Sequence, residues 1–522
     1  MKETHSYPVE FRTSLEDDPR VVEQQTKEDY TNHVVPKTAR QSKGQIIGSW
    51  SSITSAMAFV SYGALAASIA GVVQAIIGLL LVVVAYSLLG RFSVAEAVRW
   101  GLNSTLISRR LFGVKGAAIV PLLVGISLFY YAVFEASIVA VALQAYFGVW
   151  DIRVWYGIVV LGMLPFMLGG IQTWLSKLNW VSLPIYFFGI LGAVIVAASN
   201  VGWSGNWDAF DSAAEQSNVI PGWLAVFVLY MGIFVLFPET QDTARFAREA
   251  DKTFHQNVTF GWVFYGIAFL FNGLAGIAIV GFSETGTEIS ESGVVQGVVN
   301  ALGLFGLIVI IVSQVRINSA NYYFASVNLE RFIAHFTTKG ISRRTWVFVL
   351  SVLVFLVMLT DVFSYISVAL AWQAVLVVTL IAMMVTDRFM KSKETPEFRS
   401  ARIKRFGAGF FVWIVSSGVG VVLLQMPNQL PTLSALAPLV SFALAVILYA
   451  FTQLTGMSSL KDVPSDAVRE QIDDLWGTRV QCSECELSYV AIEMDTTDEQ
   501  HRVLCLGCQN SVQTSELPSR KQ

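Results

Sequence analysis

From about residue 46 to residue 456 the chain repeats one pattern, a long apolar run followed by a short polar connection. Runs long enough to cross a hydrocarbon core of about 30 Å fall at 46–70, 72–89, 116–147, 154–171, 179–199 and 220–238. Further runs fall at 256–282, 295–325, 345–360, 362–386, 406–425 and 432–456. Gly71 separates the first two and Asp361 the ninth and tenth. Leu79 to Leu89 and Gly306 to Val312 have no period of two, which excludes β-barrel spans. In lipid every backbone group must be satisfied internally, so the predicted elements are twelve transmembrane helices.

The connecting charges give these helices a direction. With the N-terminus inside, the cytoplasmic connections carry Arg91, Arg99, Arg109, Arg110, Lys115, Lys177, Arg245, Arg248, Lys252, Arg331, Lys339, Arg343 and Arg344. A further seven lie between Arg388 and Arg405. The outer connections carry Arg153 alone among basic residues, beside Asp151, Asp208, Asp211, Glu215, Glu284, Glu288, Glu291 and Asp361. This asymmetry predicts a multi-pass cell-membrane protein with both termini cytoplasmic. Residues 1–44 read as a polar cytoplasmic tail without the apolar core of a signal peptide, 45–456 as the membrane domain, and 457–522 as a second cytoplasmic tail.

Composition removes the soluble alternatives. The 522 residues are 54% hydrophobic and 14% charged, against roughly 25% charged in ordinary soluble domains. A net charge of -3 gives no footing for a nucleic-acid partner. The lipid bilayer is the implied partner. No Gly-rich loop with Lys of the ATP-binding type is present, and the spans hold no nucleophile–base set or metal-ligand cluster, so the chain does not read as an enzyme.

Several spans are too polar for lipid. The first holds Ser49, Ser51, Ser52, Thr54, Ser55 and Ser61, then Tyr62 and Gly63. These are either small residues at a helix–helix contact or the lining of a polar cavity, with the helix broken near Gly63. The sixth contains Gly232 and runs into Phe237-Pro238-Glu239-Thr240. There the helix either ends or breaks and resumes, placing Asp242, Arg245 and Arg248 on neighbouring faces. Glu135 and Arg316 lie deep in apolar segments at a cost of roughly 2.5–3.5 kcal/mol each if left facing mid-membrane lipid. They pair with each other, or serve a solute or protons. Asn318, Asn321 and Asn328 extend the polar face beyond Arg316.

All four cysteines follow the last apolar run, as Cys482-Ser483-Glu484-Cys485 and Cys505-Leu506-Gly507-Cys508. Two CxxC knuckles predict one structural zinc per chain in a small ribbon-like module at 480–510. Disulfides are the alternative, disfavoured in a reducing cytoplasm. His501 is a spare ligand. Regulation, docking of a cytoplasmic protein and simple termination are all open roles for this tail.

Four motifs together resemble the nucleobase-cation-symport-1 family, the cytosine, purine, uracil, allantoin and hydantoin permeases. They are Val35-Pro36-Lys37-Thr38-Ala39-Arg40 before span one and Arg109-Arg110-Leu111-Phe112-Gly113-Val114-Lys115-Gly116 entering span three. Asp242-Thr243-Ala244-Arg245-Phe246-Ala247-Arg248 follows span six, and Asn318-Ser319-Ala320-Asn321-Tyr322-Tyr323 lies in span eight. The resemblance covers residues 32 to about 455. It implies a secondary transporter, a permease whose first ten of twelve helices form two inverted five-helix repeats. A small heterocyclic solute would lie between broken spans one and six and continuous spans three and eight.

On that pattern Tyr130 is the stacking ring, with Phe134 and Glu135 beside it. Gly232 and Phe234 form the span-six wall, and Asn318 or Asn321 supplies an amide. Gly63, Asp242, Arg245 and Arg316 are the candidate coupling or gating residues. The family's sodium-coupled members carry small and hydroxyl residues just before the span-eight Asn. This chain has Arg316 and Ile317 there, and a guanidinium repels sodium, so the expectation is transport without sodium. Glu135 is then the candidate proton carrier. A same-fold carrier of a different, charged solute and a membrane sensor signalling through the zinc tail are the competing readings.

Overall fold

The computed structural model describes residues 11–168, 172–205, 210, 219–282, 291–336, 341–391, 396–461, 466–496 and 502–509. Asp208, Asp211, Glu215, Glu284, Glu288, Lys339 and His501, named above, and Lys393 among the basic residues between Arg388 and Arg405, lie outside the described residues. Helix α1 (Pro19–Lys27) precedes the apolar part, with Asp18 capping it and Pro19 at a first-turn position where no N–H is needed. The first apolar segment is two pieces bent by 44°: α2 (Lys43–Trp50) with a tight turn over Ser51–Ser55, and α3 (Met57–Ala70). Next come α4 (Val72–Trp100), α5 (Ser104–Gly116), α6 (Ile119–Phe147), α7 (Ile152–Leu168) and α8 (Gln172–Val201). The sixth segment is again a bent pair, α9 (Gly222–Met231) and α10 (Leu236–Ala244), at 48°.

An irregular helical run, α11 (Glu249–Gly281), contains two π-turns. It leads to α12 (Glu291–Leu302), α13 (Leu304–Ala334), α14 (Arg343–Met358), α15 (Ile366–Met390), α16 (Ala408–Leu424) and α17 (Ala437–Leu454). The protein is an all-α polytopic membrane protein. Among the described residues seven helices are long and apolar enough to cross, or nine if each bent pair counts as one span. Three more expected spans are the apolar but shorter helices α7, α14 and α16.

The joints follow local stereochemistry. Gly71 (φ 74°) and Asp361 (φ 54°) make the two tightest connections, glycine at no steric cost and aspartate as one of the few side chains that tolerate positive φ. The expected run 295–325 is two helices, because Gly303 at φ 56° and ψ -130° turns the chain between α12 and α13. Gly63 is where α3 meets α11: a Cβ there would lie 2.2 Å from the Gly273 carbonyl oxygen.

Below the helices, the segments before α2 and after α17 form one small module. Strand β1 (Thr13–Ser14) pairs antiparallel with β2 (Arg479–Gln481), which pairs with β3 (Ser488–Val490). A second pair joins β4 (Asp495–Thr496) to β5 (Val503–Leu504). Val21 of α1 shares the module's core with Val468, Val480, Met494 and Leu504.

Candidate functional site

Broken helices expose the carbonyls and amides that an intact helix would pair. At the first break Ala56 takes an extended conformation (φ -65°, ψ 118°), which ends the Ser51–Ser55 turn and starts α3. The freed carbonyls find partners. Arg316 on α13 donates from Nη2 to the Ser52 carbonyl at 2.9 Å and to Ser55 Oγ, and from Nη1 to Ser182 Oγ on α8 at 3.0 Å. Asn272 donates to the Thr54 carbonyl at 2.8 Å and accepts from Tyr186. A buried guanidinium therefore sits against the C-terminal end of the first half-helix, where the backbone dipole favours positive charge.

A small, partly open pocket lies at the level of both breaks. Its walls are Ala56, Phe59 and Tyr62 from the first broken span, Tyr131 and Glu135 from α6, Ile233 and Glu239 from the second, and Ile317 and Asn321 from α13. Glu135 accepts a hydrogen bond from Gln314 Nε2. Glu239 lies in the first turn of α10, and its Oε1 has no hydrogen-bond partner. Asn321 Nδ2 is likewise unpartnered. Tyr131 accepts at its hydroxyl from Gln373 Nε2 at 2.6 Å, and the same amide reaches the Gly232 carbonyl.

The C-terminal end of α10 is held quite differently. Asp242 accepts from the Ser104 N–H and hydroxyl at 2.8 and 2.7 Å and pairs with Arg331 at 2.8 Å. Arg245 donates to the backbone carbonyls of Tyr30 at 2.8 Å and Asp29 at 2.5 Å. Tyr323 bonds the Asp29 carboxylate. The segment so clamped continues to His33 and Val34, both hydrogen-bonded to Glu493 of the tail module at 2.9 Å.

No family model matches the chain, and no curated protein does. Solved structures do match. Mhp1, a nucleobase-cation-symport-1 family transporter in a closed conformation with bromovinylhydantoin bound, is 16% identical with a TM-score of 0.60, over 85% of this chain and 96% of that one. Its inward-facing conformation is 17% identical with a TM-score of 0.60, over 81% and 93%. A Na+-coupled sialic acid symporter in a substrate-bound outward-open state is 16% identical with a TM-score of 0.55, over 84% and 94%. The chain shares the fold of these transporters. At such identities the likeness speaks for the fold alone.

Within this fold the expected site residues separate. Glu135 and Asn321 line the cavity. Tyr130 does not. The ring there is Tyr131, because neighbouring positions on a helix point about 100° apart and only Tyr131 shares a face with Glu135 four residues on. Phe134 is buried in packing, stacked on Tyr62 at 5.8 Å and against Phe363. Phe234 packs edge-on to Tyr86 at 4.6 Å, leaving Ile233 as the lining residue. Gly232 contributes its carbonyl to Gln373 rather than a wall. Asn318 faces α6 and α7, donating to the Ala132 carbonyl at 3.2 Å.

Both breaks are displaced from their expected places. The first falls at Ala56, not near Gly63, which is helical and used for close packing. The second falls over 232–235, before Pro238. That proline occupies the first turn of α10, where its missing N–H breaks nothing. Arg316 and Glu135 do not form an ion pair; each has other partners. Glu239 is a site residue that the sequence does not single out, because its setting reads as a helix end. An acid directly after an apolar span was the available signal.

The four cysteines come together as the spacing expects. Their sulfurs all lie within 4.8 Å of one another, with Cys485 and Cys505 3.9 Å apart, and the Cys505 N–H points at Cys482 Sγ at 3.3 Å. A tetrahedral metal with bonds of about 2.3 Å to sulfur needs sulfurs about 3.8 Å apart, so the cluster fits a metal ion.

Proposed function

We propose that the chain is a secondary transporter that carries a nucleobase or related small nitrogen heterocycle by alternating access, without sodium. The observation that carries this reading is the cavity where both helix breaks meet α6 and α13, in a fold shared with transporters. Tyr131, Tyr62 and Phe59 offer ring faces to a flat solute, and Asn321 offers an amide. Bromovinylhydantoin, the compound bound in Mhp1, is such a solute.

Arg316 supports the sodium-free part. The resemblance places the family's sodium where span eight meets span one, and here a guanidinium binds the Ser52 carbonyl at that junction. Glu135 remains the candidate proton carrier. Counting α7, α14 and α16 with the nine gives twelve spans, the first ten as two inverted repeats. The pairing of β1 with β2 supports both termini lying on one side, the cytoplasmic one by the charge asymmetry. The cysteine cluster suits one structural zinc, which would hold a module too small to carry a core of its own.

Reconstitution into proteoliposomes with sodium and proton gradients imposed separately tests the reading. Accumulation of a hydantoin or nucleobase that is indifferent to sodium supports it; a rate rising steeply with sodium at fixed pH and potential overturns the sodium-free part. A sensor is the second reading, favoured by one observation: the tail module grips the segment that leads into α2. Saturable binding without accumulation would select it.

A further inference from the structure

Most buried acids on the cytoplasmic side of this protein have a cationic partner. Arg110 serves Glu96 at 3.3 Å and Asp387 at 2.6 Å, and Arg331 serves Asp242 at 2.8 Å. Glu135 and Glu239, at 2% and 8% exposure, have none among the described residues. They line the same cavity, and no Lys, Arg or His among the described residues lines it with them. The buried cation nearby in the fold, Arg316, is committed to Ser52, Ser55 and Ser182.

Two carboxyl groups lining one pocket repel when ionised, and burying either without compensation is costly. Glu135 is held in place by Gln314. Glu239 has its Oε1 unpartnered, and so has the neighbouring Asn321 Nδ2. What the cavity lacks is positive charge with hydrogen-bond donors, beside an acceptor for the Asn321 amide.

We propose that the solute of this cavity is an organic cation, a flat amidinium or protonated ring amine, held between Glu135 and Glu239. The rings of Tyr131, Tyr62 and Phe59 add faces that attract a cation. A bare divalent ion fits less well, since it takes six or more oxygen ligands and this lining is mainly apolar and aromatic. The proposal narrows the solute class of the transport reading and rests on it for the direction of use, though not for binding.

Benzamidinium and its neutral near-isostere benzamide are the probes. Thermal shifts of the purified full-length protein in detergent should show saturable benzamidinium binding, at least about tenfold tighter than benzamide. Glu239→Gln and Glu135→Gln should each remove most of that preference. Equal or tighter binding of benzamide, or no benzamidinium binding up to about 10 mM, overturns the proposal. So does an unchanged preference in both variants, and the comparison on the parent protein stands even where a variant fails to fold. Labelled probe in proteoliposomes separates the two readings. Benzamidinium bound but never accumulated leaves the site and removes transport. Uptake of a neutral hydantoin, unaffected by both Gln variants, leaves transport and removes the cation site.

Discussion

The two ends of α10 treat their acids in opposite ways. At the C-terminal end Asp242 is paired with Arg331 and Ser104, and Arg245 caps two backbone carbonyls. At the cavity end, within the same nine-residue helix, Glu239 keeps an oxygen without a partner. A folded chain leaves buried groups unsatisfied only rarely, because each costs about 1–3 kcal/mol. The saturated pairs of Asp242 and Arg245 hold that end around the N-terminal segment, although the neighbouring Gln241 leaves both its side-chain amide atoms without a partner. On the cation-site proposal, the Glu239 end is the one that receives the solute.

That contrast is broken most severely from the tail. Replacing Cys485 by Ser should remove one of four ligands and with it essentially all bound metal, a site worth on the order of 10 kcal/mol in comparable small modules. Atomic absorption on purified protein should fall from one metal ion per chain to none. The helices should remain folded by circular dichroism, while residues 466–509 become sensitive to protease. Stoichiometric disulfides without metal in the parent protein would sink the assignment.

Arg316 sharpens the contrast inside the membrane, where a cation already fills what would otherwise be an oxygen-lined gap. Arg316→Ala should strand the Ser52 carbonyl and the Ser55 and Ser182 hydroxyls, destabilising the protein by about 2–3 kcal/mol and reducing uptake. A lysine retains the charge but not the fork that reaches α8 and the Ser51–Ser55 turn together, so Arg316→Lys should recover part of the stability. Sodium should not raise the melting temperature of the parent protein. If it does, a cation site exists that Arg316 does not occupy.

At the cavity the smaller question is which ring faces the solute. Tyr131→Ala should weaken binding by about 0.5–1.5 kcal/mol beyond lost area, with Tyr131→Phe close to the parent. Tyr130→Ala should leave the dissociation constant unchanged. Reversed results from fluorescence titration would mean α6 presents its other face.

How much of this was legible differs by the kind of signal. The apolar runs and the CxxC pairs are local patterns with few physical outcomes, so helices and the cysteine cluster follow from sequence. The helix breaks were seen as a need but misplaced, because Gly63 and Pro238 are helix breakers only out of context. Gly63 serves a close approach to Gly273, and Pro238 sits where the first turn tolerates it. Tyr130 and Tyr131 differ by one helical step, which only packing decides. The clamp joining Asp29, Tyr30 and His33 to Arg245 and Glu493 spans hundreds of residues and leaves no local trace.

The smallest effect expected concerns acid, and it acts on the saturated side alone. Arg399 donates to Glu397 at 2.7 Å and to Asp466 at 2.5 Å, tying the loop before α16 to the tail. Burial by itself would raise both carboxyls, but Arg399 outweighs it and holds them below their ordinary values of 4.5 and 3.8. Acids depressed in the folded state stabilise it fully above those ordinary values, and the contribution is lost as pH falls through the folded values. Asp495 opposes this, since burial raises it above 3.8 despite Arg402. The net effect is therefore modest, because the two directions oppose each other. Hydrogen-exchange protection of 466–496, corrected for the intrinsic pH dependence of amide exchange, should be flat from pH 7 to about 5 and fall only below about 4. Metal content must be followed in parallel, because thiolates also protonate in acid. Arg399→Ala should exchange faster at pH 7 and show a shallower acid response. A variant with the parent's acid profile would mean the cysteine cluster, not the ion pairs, sets the pH sensitivity of the tail.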